Sequence, residues 1–286
     1  MHIRPMTEAD LVPAERASDR LFIEADRLTR RVRDPEPTPR SPAGSAAWIE
    51  RMRHYLAVDP AGCWVAEDDG DVAGFAFSQN RGGVWYLATY GVVPERQGTG
   101  VGRALLDATL AHAGERPGLF SSSVHPGATR RYRLAGFLLY PQLRMTGTVD
   151  RATLPALPGL REGGPADVEW MDALDTTLRG GGHGPDHAYL MARERLVVSA
   201  RRRGYVYIAG GRATLLAAAD EDTAATLLWE ALAASDGDTL VNCITTANHW
   251  AVDVGLAARL DIGQEGYLAL RGLPEPAPYL ASGHFL

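Results

Sequence analysis

Apolar and polar residues follow two different periods along this chain, and the changes of period mark its predicted elements. Alternation and short apolar runs predict strands in the first half at residues 2–6, 62–67, 72–78, 84–90, 119–124 and 138–145. Helical spacing predicts a helix after Thr7, an amphipathic segment over 21–32, and helices over 46–56 and 99–113. Thr7 and Asp10 resemble a capping box, and the proline-rich segment 34–44 is predicted to be a loop.

The second half of the chain repeats this order of elements in a weaker form. A connector rich in proline and glycine lies between the halves, which predicts domains at 1–150 and 166–286 joined by a linker at 151–165. Helices are predicted over 168–178, from 188 and over 223–234, and strands over 204–209, 212–218, 239–244 and 267–271. The mixture of strands and helices in both halves predicts an α+β (α/β) fold.

Composition excludes several classes of protein. The chain has 286 residues, 45% of them hydrophobic, which is enough for two domain cores. The net charge is -6, and this argues against a nucleic-acid partner because such proteins need a basic surface. No apolar run is long enough to span a membrane and the N-terminus resembles no targeting peptide, so we expect a cytoplasmic protein without a membrane partner. Cys63 and Cys243 fit small buried side chains and form neither a disulfide framework nor a zinc spacing.

The most informative stretch covers residues 92–106 and is VVPERQGTGVGRALL. Gly98, Gly100 and Gly102 stand where a predicted strand gives way to a helix. The first N–H groups of a helix have no intrahelical partner and the helix dipole is positive there, so this turn predicts a phosphate or pyrophosphate site. A P-loop would need a lysine after its last glycine, but Arg103 stands there and all 29 basic residues are arginines. A dinucleotide fingerprint is excluded because its third glycine would also fall on Arg103.

The spacing that does fit is Gln-x-x-Gly-x-Gly, over residues 97–102, preceded by Val-x-Pro. This string resembles the acyl-CoA-binding motif of the GCN5-related N-acetyltransferases (GNAT). A second string, over residues 125–137, resembles the family's N-x-x-A-x-x-x-Y-x-x-x-G-F stretch. His125 stands where the family commonly has Asn, and the matching residues are Ala128, Tyr132, Gly136 and Phe137. The resemblance covers residues 1–150 and implies two tandem GNAT-like domains, each a mixed, mostly antiparallel sheet flanked by helices.

The resemblance also implies an activity, an N-acetyltransferase that moves the acetyl group of acetyl-CoA to an amine, with a small molecule as the expected acceptor. Tyr132 would be the general acid that protonates the departing thiolate. Arg96 would add charge near the phosphates, and the implied cofactor-binding residues are Val92, Val93, Gln97, Gly98, Thr99, Gly100, Val101, Gly102 and Arg103. A non-catalytic acyl-CoA-binding or regulatory module is the alternative, and a mycothiol-synthase-like activity is a narrower enzymatic one.

The second half lacks the glycine loop. The residues before its predicted helix are Asp220, Glu221, Asp222 and Thr223. Acidic side chains stabilise a helix N-terminus but would repel a pyrophosphate. We therefore expect the same fold without a cofactor site, and a role in walling the acceptor site. Residues 248–256 repeat the second family string in shorter form.

The general base stays open, because the strand before the glycine loop holds no carboxylate. The candidates are Glu24, Asp26, His54, His125, the cluster of His183, Asp186 and His187, and the Leu286 carboxylate. In that cluster the intervening Gly-Pro predicts a turn and no further ligand is evident, so we expect no metal ion. The arginine run 201–203 is interpreted as the solvated C-terminal end of a helix. The sequence decides neither the acceptor nor the oligomeric state, and a homodimer is compatible with it.

Overall fold

The computed structural model describes residues 1–30 and 35–286. They form two compact units, each assembled from separate stretches of chain. The first contains Met1–Asn80, Trp85–Arg116 and Val124–Arg131, and the second contains Arg81–Val84, Pro117–Ser123 and Tyr132–Leu286. The end of the predicted segment 21–32, and Asp34 at the start of the predicted loop, lie outside the described residues.

The first unit contains the N-terminal strands and helices. Its strands, in their spatial order, are β1 (His2–Pro5), β2 (Cys63–Asp68), β3 (Asp71–Arg81) and β4 (Val84–Val92). β2 pairs antiparallel with both β1 and β3. The helices are α1 (Leu11–Thr29), α2 (Pro42–Val58) and α3 (Val101–Ala113). α1 runs without a break through the region where we expected two separate helical pieces.

Aromatic side chains on α2 and β3 form much of the core of this unit. Trp48 of α2 packs edge-on against Phe75 and Phe77 of β3, with ring centroids 5.7 and 6.0 Å apart. Tyr55, two turns later on the same face of α2, lies 6.3 Å from Phe77. α2 begins where the sequence allows it, because the Ser41 hydroxyl accepts a backbone hydrogen bond as N-cap and a proline follows at the first helical position.

The remaining elements follow in chain order, beginning with β5 (Gly118–Ser122), α4 (Pro126–Leu134) and β6 (Leu138–Thr148). The later strands are β7 (Leu160–Glu162), β8 (Arg195–Ser199), β9 (Gly204–Ala209), β10 (Arg212–Ala218), β11 (Asp238–Ile244), β12 (Asp261–Arg271) and β13 (Tyr279–Leu280). The later helices are α5 (Val168–Arg179), α6 (Asp186–Met191), α7 (Glu221–Ala233) and α8 (His249–Ala257). The predicted α+β (α/β) class is confirmed.

Strands from both halves of the chain share one sheet in the second unit. Their order is β5-β12-β6-β11, and β12 pairs antiparallel with both β5 and β6. The two halves match closely here, since α4 and α8 each have 9 residues and β6 and β12 each have 11. The fifth strand of each repeat therefore pairs with the sixth strand of the other. The predicted ranges 1–150, 151–165 and 166–286 give the order of the repeats along the chain and stay predictions as domain boundaries.

A second sheet has the order β13-β10-β9-β8-β7. We did not predict β8, an apolar and β-branched run at the centre of which Val197 and Val198 are buried. The arginine run 201–203 lies in the turn between β8 and β9. Its interpretation as a helix end was wrong, because a strand and a tight turn occupy this region. None of the helices in the described part of the chain combines the length and apolar character that a membrane span requires.

In each repeat an arginine of the first strand pairs with an aspartate of the turn that follows it. Arg4 donates two hydrogen bonds of 2.8 Å to the Asp10 carboxylate, which also accepts the Thr7 N–H at 2.7 Å. Arg161 and Asp167 repeat this arrangement at 2.9 and 2.5 Å. The predicted capping box at Thr7 and Asp10 is confirmed. Hydrogen bonds from Arg4 lower the pKa of Asp10 to about 2, and those from Arg161 lower that of Asp167 still further.

We predict that Asp10→Asn lowers the free energy of unfolding at pH 7 by about 2 kcal/mol, the value of the pKa shift. Because the shift is downward from an ordinary value of 3.8, the ionised carboxylate stabilises the fold fully above that pH. The contribution is lost as the pH falls from there toward about 2. Urea unfolding of wild type and variant at pH 7 and below pH 4 measures it, with exposed Asp71→Asn as control. If the difference in unfolding free energy between wild type and Asp10→Asn does not become smaller in acid, the stabilising role of the ionised carboxylate is contradicted.

Candidate functional site

The loop between β4 and α3 is braced by its own side chains. Nε2 of Gln97 donates to the Val92 carbonyl at 3.1 Å, and the Thr99 hydroxyl donates to the Arg96 carbonyl at 2.7 Å. Arg96 also pairs with Asp68 at 2.5 Å and lowers the pKa of that carboxyl. These bonds fix the course of an exposed loop without using the N–H groups of the first turn of α3.

The N-terminus of α3 is open to solvent. Gly98 and Gly100 have φ of +76° and +95°, a left-handed conformation that favours glycine, and Gly100 is the N-cap of α3. The first backbone bond of the helix runs from the Ala104 N–H to the Gly100 carbonyl at 3.1 Å, so the N–H groups of residues 101–103 have no intrahelical acceptor. A Cβ built on either glycine would meet nothing within 4 Å. The space before the helix can therefore accommodate an anionic group.

Gly102 is required by a close approach. A Cβ there would lie 2.5 Å from the hydroxyl oxygen of Tyr90, which donates to the Gly102 carbonyl at 2.7 Å. Burial raises the pKa of Tyr90 to about 12, so the phenol stays a neutral donor. The bond ties β4 to the first turn of α3. Val93, which we expected beside a pantetheine arm together with Val92, donates its N–H to the Ala73 carbonyl at 3.0 Å.

Tyr132 sits at the C-terminal end of α4, and the string Tyr-x-x-x-Gly-Phe encodes that helix end. Phe137 donates its N–H to the Tyr132 carbonyl and Gly136 donates to the Arg133 carbonyl, both at 3.1 Å, which is a Schellman motif. Gly136 has φ of +88°. The rings of Tyr132 and Phe137 pack on Phe120 with centroids 4.5 and 4.8 Å away. The helix ending thus fixes where the Tyr132 ring lies.

His125 is the N-cap of α4. Its carbonyl accepts the Thr129 N–H at 3.0 Å, and its Nδ1 accepts the Ala128 N–H at 3.4 Å. Asn is among the best N-caps, so the imidazole takes over a local task that the asparagine of the family string could perform. His125 is thereby explained as a capping residue, although it was a candidate base.

Residues 25–137 match the Acetyltransferase (GNAT) family model. These residues have the sequence pattern of the GNAT acetyltransferase family, and the predicted resemblance is confirmed. It is 36% identical over 100 residues to a mycothiol acetyltransferase of Thermobispora bispora, a match that covers 31% of this chain and only 34% of that protein.

Solved structures share the whole fold at low sequence identity. A Pyrococcus horikoshii protein described as an acetyltransferase is 15% identical, with a TM-score of 0.76, over 99% of this chain and 94% of its own. A tandem GNAT protein from the clavulanic acid biosynthesis pathway is 14% identical, with a TM-score of 0.56, over 96% and 99%. At this identity they show the fold alone, and they confirm the tandem GNAT architecture.

The second GNAT repeat has its helix N-terminus closed by its own carboxylate. α7 corresponds to α3, both being 13 residues long, and Asp220 stands in the place of Gly100. Oδ1 of Asp220 accepts the Thr223 N–H at 2.8 Å, and Arg203 pairs with the same carboxylate at 2.6 Å. An anion therefore already occupies the position where a pyrophosphate would bind.

Two further differences separate the second repeat from the first. α8 ends in the same way as α4, with the Leu260 N–H on the Gly255 carbonyl at 2.9 Å, so Gly255 stands where Tyr132 does. A Cβ there would lie 2.9 Å from the Met145 side chain, which excludes a phenol. In addition, β13 pairs antiparallel with β10, the counterpart of β4.

The remaining base candidates occupy different environments. Asp26 is exposed, His54 is half-buried on α2, and Glu24 lies 3.7 Å from Arg27. The Leu286 side chain is buried. Glu24 lines a groove of about 360 Å³ with Arg20, Ile23, Arg27, Pro94 and Glu95.

The predicted cluster of His183, Asp186 and His187 is assembled differently. The Asp186 carboxylate accepts two buried hydrogen bonds of 2.8 Å from the Arg81 guanidinium. Asp175 of α5 takes its place beside the histidines, with Oδ2 2.7 Å from Nδ1 of His183. Sequence reasoning missed Asp175 because only the packing of α5 on α6 brings it near. All three side chains are fully buried, which does not suit a base that must meet a substrate amine.

We expect Tyr90→Phe to lower the free energy of unfolding by about 1 kcal/mol, because the Gly102 carbonyl loses a hydrogen-bond donor. Thermal or urea unfolding measures the change, with Tyr267→Phe on β12 as the matched loss of a phenol elsewhere. Equal stability of the two variants would show that the bond does not hold the start of α3.

Proposed function

We propose that this GNAT protein transfers the acetyl group of acetyl-CoA to a primary amine of a small molecule. The observation that carries the proposal is the open N-terminus of α3 behind Gly100. The N–H groups of residues 101–103 would bind the pyrophosphate of coenzyme A, helped by the positive end of the helix dipole. Arg103, whose side chain is exposed, would add charge after release from Asp107, which lies 3.4 Å away.

The reaction needs one bond made and one broken at the same carbon. The neutral amine attacks the thioester carbonyl, a C–N bond forms, and the C–S bond breaks to release the coenzyme A thiolate. Tyr132 gives its phenolic proton to that sulfur, and the proton lost by the amine passes to a base and restores the phenol through solvent. No covalent enzyme intermediate is needed.

For the base we propose Glu24 as the residue to test first. It lines the groove that also contains Pro94, two residues after the end of β4, so this carboxylate lies in the same groove as the start of the cofactor loop. The Glu24 carboxylate would attract a protonated amine and accept its proton before attack.

The relative named mycothiol acetyltransferase supports a narrower alternative, an amine acceptor of the mycothiol kind. The rival from a different class is a non-catalytic acyl-CoA-binding or regulatory module. The two classes differ in one observable, because a binding module takes up acetyl-CoA without releasing free coenzyme A when amines are supplied.

Gly100→Glu should weaken acetyl-CoA binding at least about tenfold, since a carboxylate at the helix N-terminus repels the pyrophosphate. Gly70→Glu is a matched control, because Gly70 also has a left-handed φ, +87°, and open space around it. Calorimetric titration of acetyl-CoA into wild type and both variants measures the effect. Equal affinity of all three proteins, or no binding to folded wild type, would contradict the cofactor site.

Tyr132→Phe should lower the rate of amine acetylation about a hundredfold while leaving acetyl-CoA affinity unchanged, because only the proton donor is lost. Release of free thiol in the presence of an amine panel measures turnover, with Tyr140→Phe on β6 as control. Unchanged turnover would remove Tyr132 from the mechanism, and thiol release by neither wild type nor control would favour the binding module.

A further inference from the structure

Three side chains with metal-ligating atoms meet inside the second repeat. Asp175 lies on α5, His183 in the loop that follows, and His187 on α6, and all three are fully buried. One ligand atom from each lies within 4.8 Å of the others. The Asp175 Oδ2 is 2.7 Å from Nδ1 of His183 and 3.7 Å from Nε2 of His187. Both oxygens of Asp175 accept from the Tyr205 hydroxyl at 2.8 Å.

Each histidine turns its other ring nitrogen to a tyrosine hydroxyl. Nε2 of His183 lies 3.4 Å from the Tyr279 hydroxyl, and Nδ1 of His187 lies 3.0 Å from the Tyr207 hydroxyl. Outer partners of this kind orient imidazole ligands at metal sites and select the nitrogen that faces the ion. Nδ1 of His183 and Nε2 of His187 are thus both presented to Asp175.

The inward nitrogen of His187 is poorly satisfied. Its Nε2 is buried and makes no well-aligned hydrogen bond to any residue that the structure describes. It lies 3.2 Å from Oδ1 of Asp172, a carboxylate one turn before Asp175 on α5. A buried polar atom without a well-aligned partner lowers the stability of the fold, and a metal ion bound to this nitrogen would remove that cost. Asp172 thus offers a further carboxylate oxygen beside this nitrogen.

We propose that Asp175, His183 and His187 bind a divalent transition-metal ion of the zinc type, and that the Asp172 carboxylate beside His187 turns to the ion as the fourth ligand. A tetrahedral zinc ion with bonds of about 2.0–2.1 Å holds its ligand atoms about 3.3–3.4 Å apart. The Asp175 oxygen lies 2.7 and 3.7 Å from the two histidine nitrogens, on either side of that value, and the three ligand atoms lie within 4.8 Å of one another. Small movements of these three side chains therefore bring them to an ion, whereas Asp172 has to move farther. The ion takes the place of the proton between His183 and Asp175.

The charges around the ion and the number of its protein ligands define the kind of metal site. Arg179 acts on Asp175 electrostatically and opposes a bound cation, so both carboxylates are needed to offset it. Four protein ligands leave no open position, and closed sites of this type are structural rather than catalytic. The ion would tie α5 to α6 across the glycine-rich turn at 180–184, and its binding would stabilise the folded second repeat.

The test uses the full chain, purified without a histidine tag. Metal content is measured after purification, and Co²⁺ is then titrated into the folded protein and into protein refolded in its presence, since a buried site can require loading during folding. We expect one metal equivalent per chain, the visible absorption of tetrahedral Co²⁺, and a lower melting temperature after chelation. His187→Gln and Asp172→Asn should lose the absorption, whereas His249→Gln, at an exposed histidine of the same repeat, should keep it.

If a variant fails to fold, the measurements on wild type alone decide whether the metal site exists. Stoichiometric Co²⁺ absorption in either preparation supports the site. Absorption by neither preparation of folded wild type overturns the proposal and leaves the cluster as a purely hydrogen-bonded one. Absorption that survives in folded His187→Gln also overturns it, because the ion would then be held elsewhere. Acetyl-CoA binding to the first repeat is a separate measurement, so failure here does not touch the proposed function.

Discussion

The antiparallel pairing of β12 with β5 and β6 is the constraint on which the second unit depends. β5 and β6 follow one another in the chain, separated only by α4, yet β12 from the other repeat lies between them. Without it both strands would expose unpaired backbone groups on facing edges. β11 in turn pairs with β6, so the two repeats complete each other's sheet and neither provides all of its own neighbours. This arrangement explains why the compact units differ from the two halves of the chain.

The two repeats share one scaffold and differ in a few residues at the ends of their helices. Gly100 leaves the start of α3 open, whereas Asp220 caps the start of α7 with a carboxylate. Tyr132 occupies the third position from the end of α4, whereas Gly255 occupies the same position in α8 because Met145 leaves no room for more. The scaffold requires a helix at each place but does not dictate how the backbone groups at its ends are satisfied, so the two repeats differ at these ends without a change of fold.

The interior of the second repeat contains buried ionisable side chains, Asp175, His183 and His187. Buried carboxylates and imidazoles lose their hydration, and they are retained only where hydrogen bonds, opposite charges or a bound ion replace it. Tyr205, Tyr207 and Tyr279 supply part of that replacement around Asp175 and the two histidines. These hydrogen bonds to buried ionisable groups distinguish the core of the second repeat from an ordinary apolar core.

The sequence alone determined the resemblance to the GNAT family, the glycine loop and the place of Tyr132 at a helix end, because each depends on local backbone requirements. A left-handed N-cap needs Gly100, a Schellman ending needs Gly136, and both are visible as residue types at fixed spacing. The acidic residues that stand before α7 in place of the glycines are an equally local feature. Only the tertiary structure decided that β12 separates β5 from β6, that Asp186 pairs with Arg81, and that Asp175 meets His183 and His187. These are contacts between elements distant in the chain, and periodicity carries no information about which distant surfaces pack together.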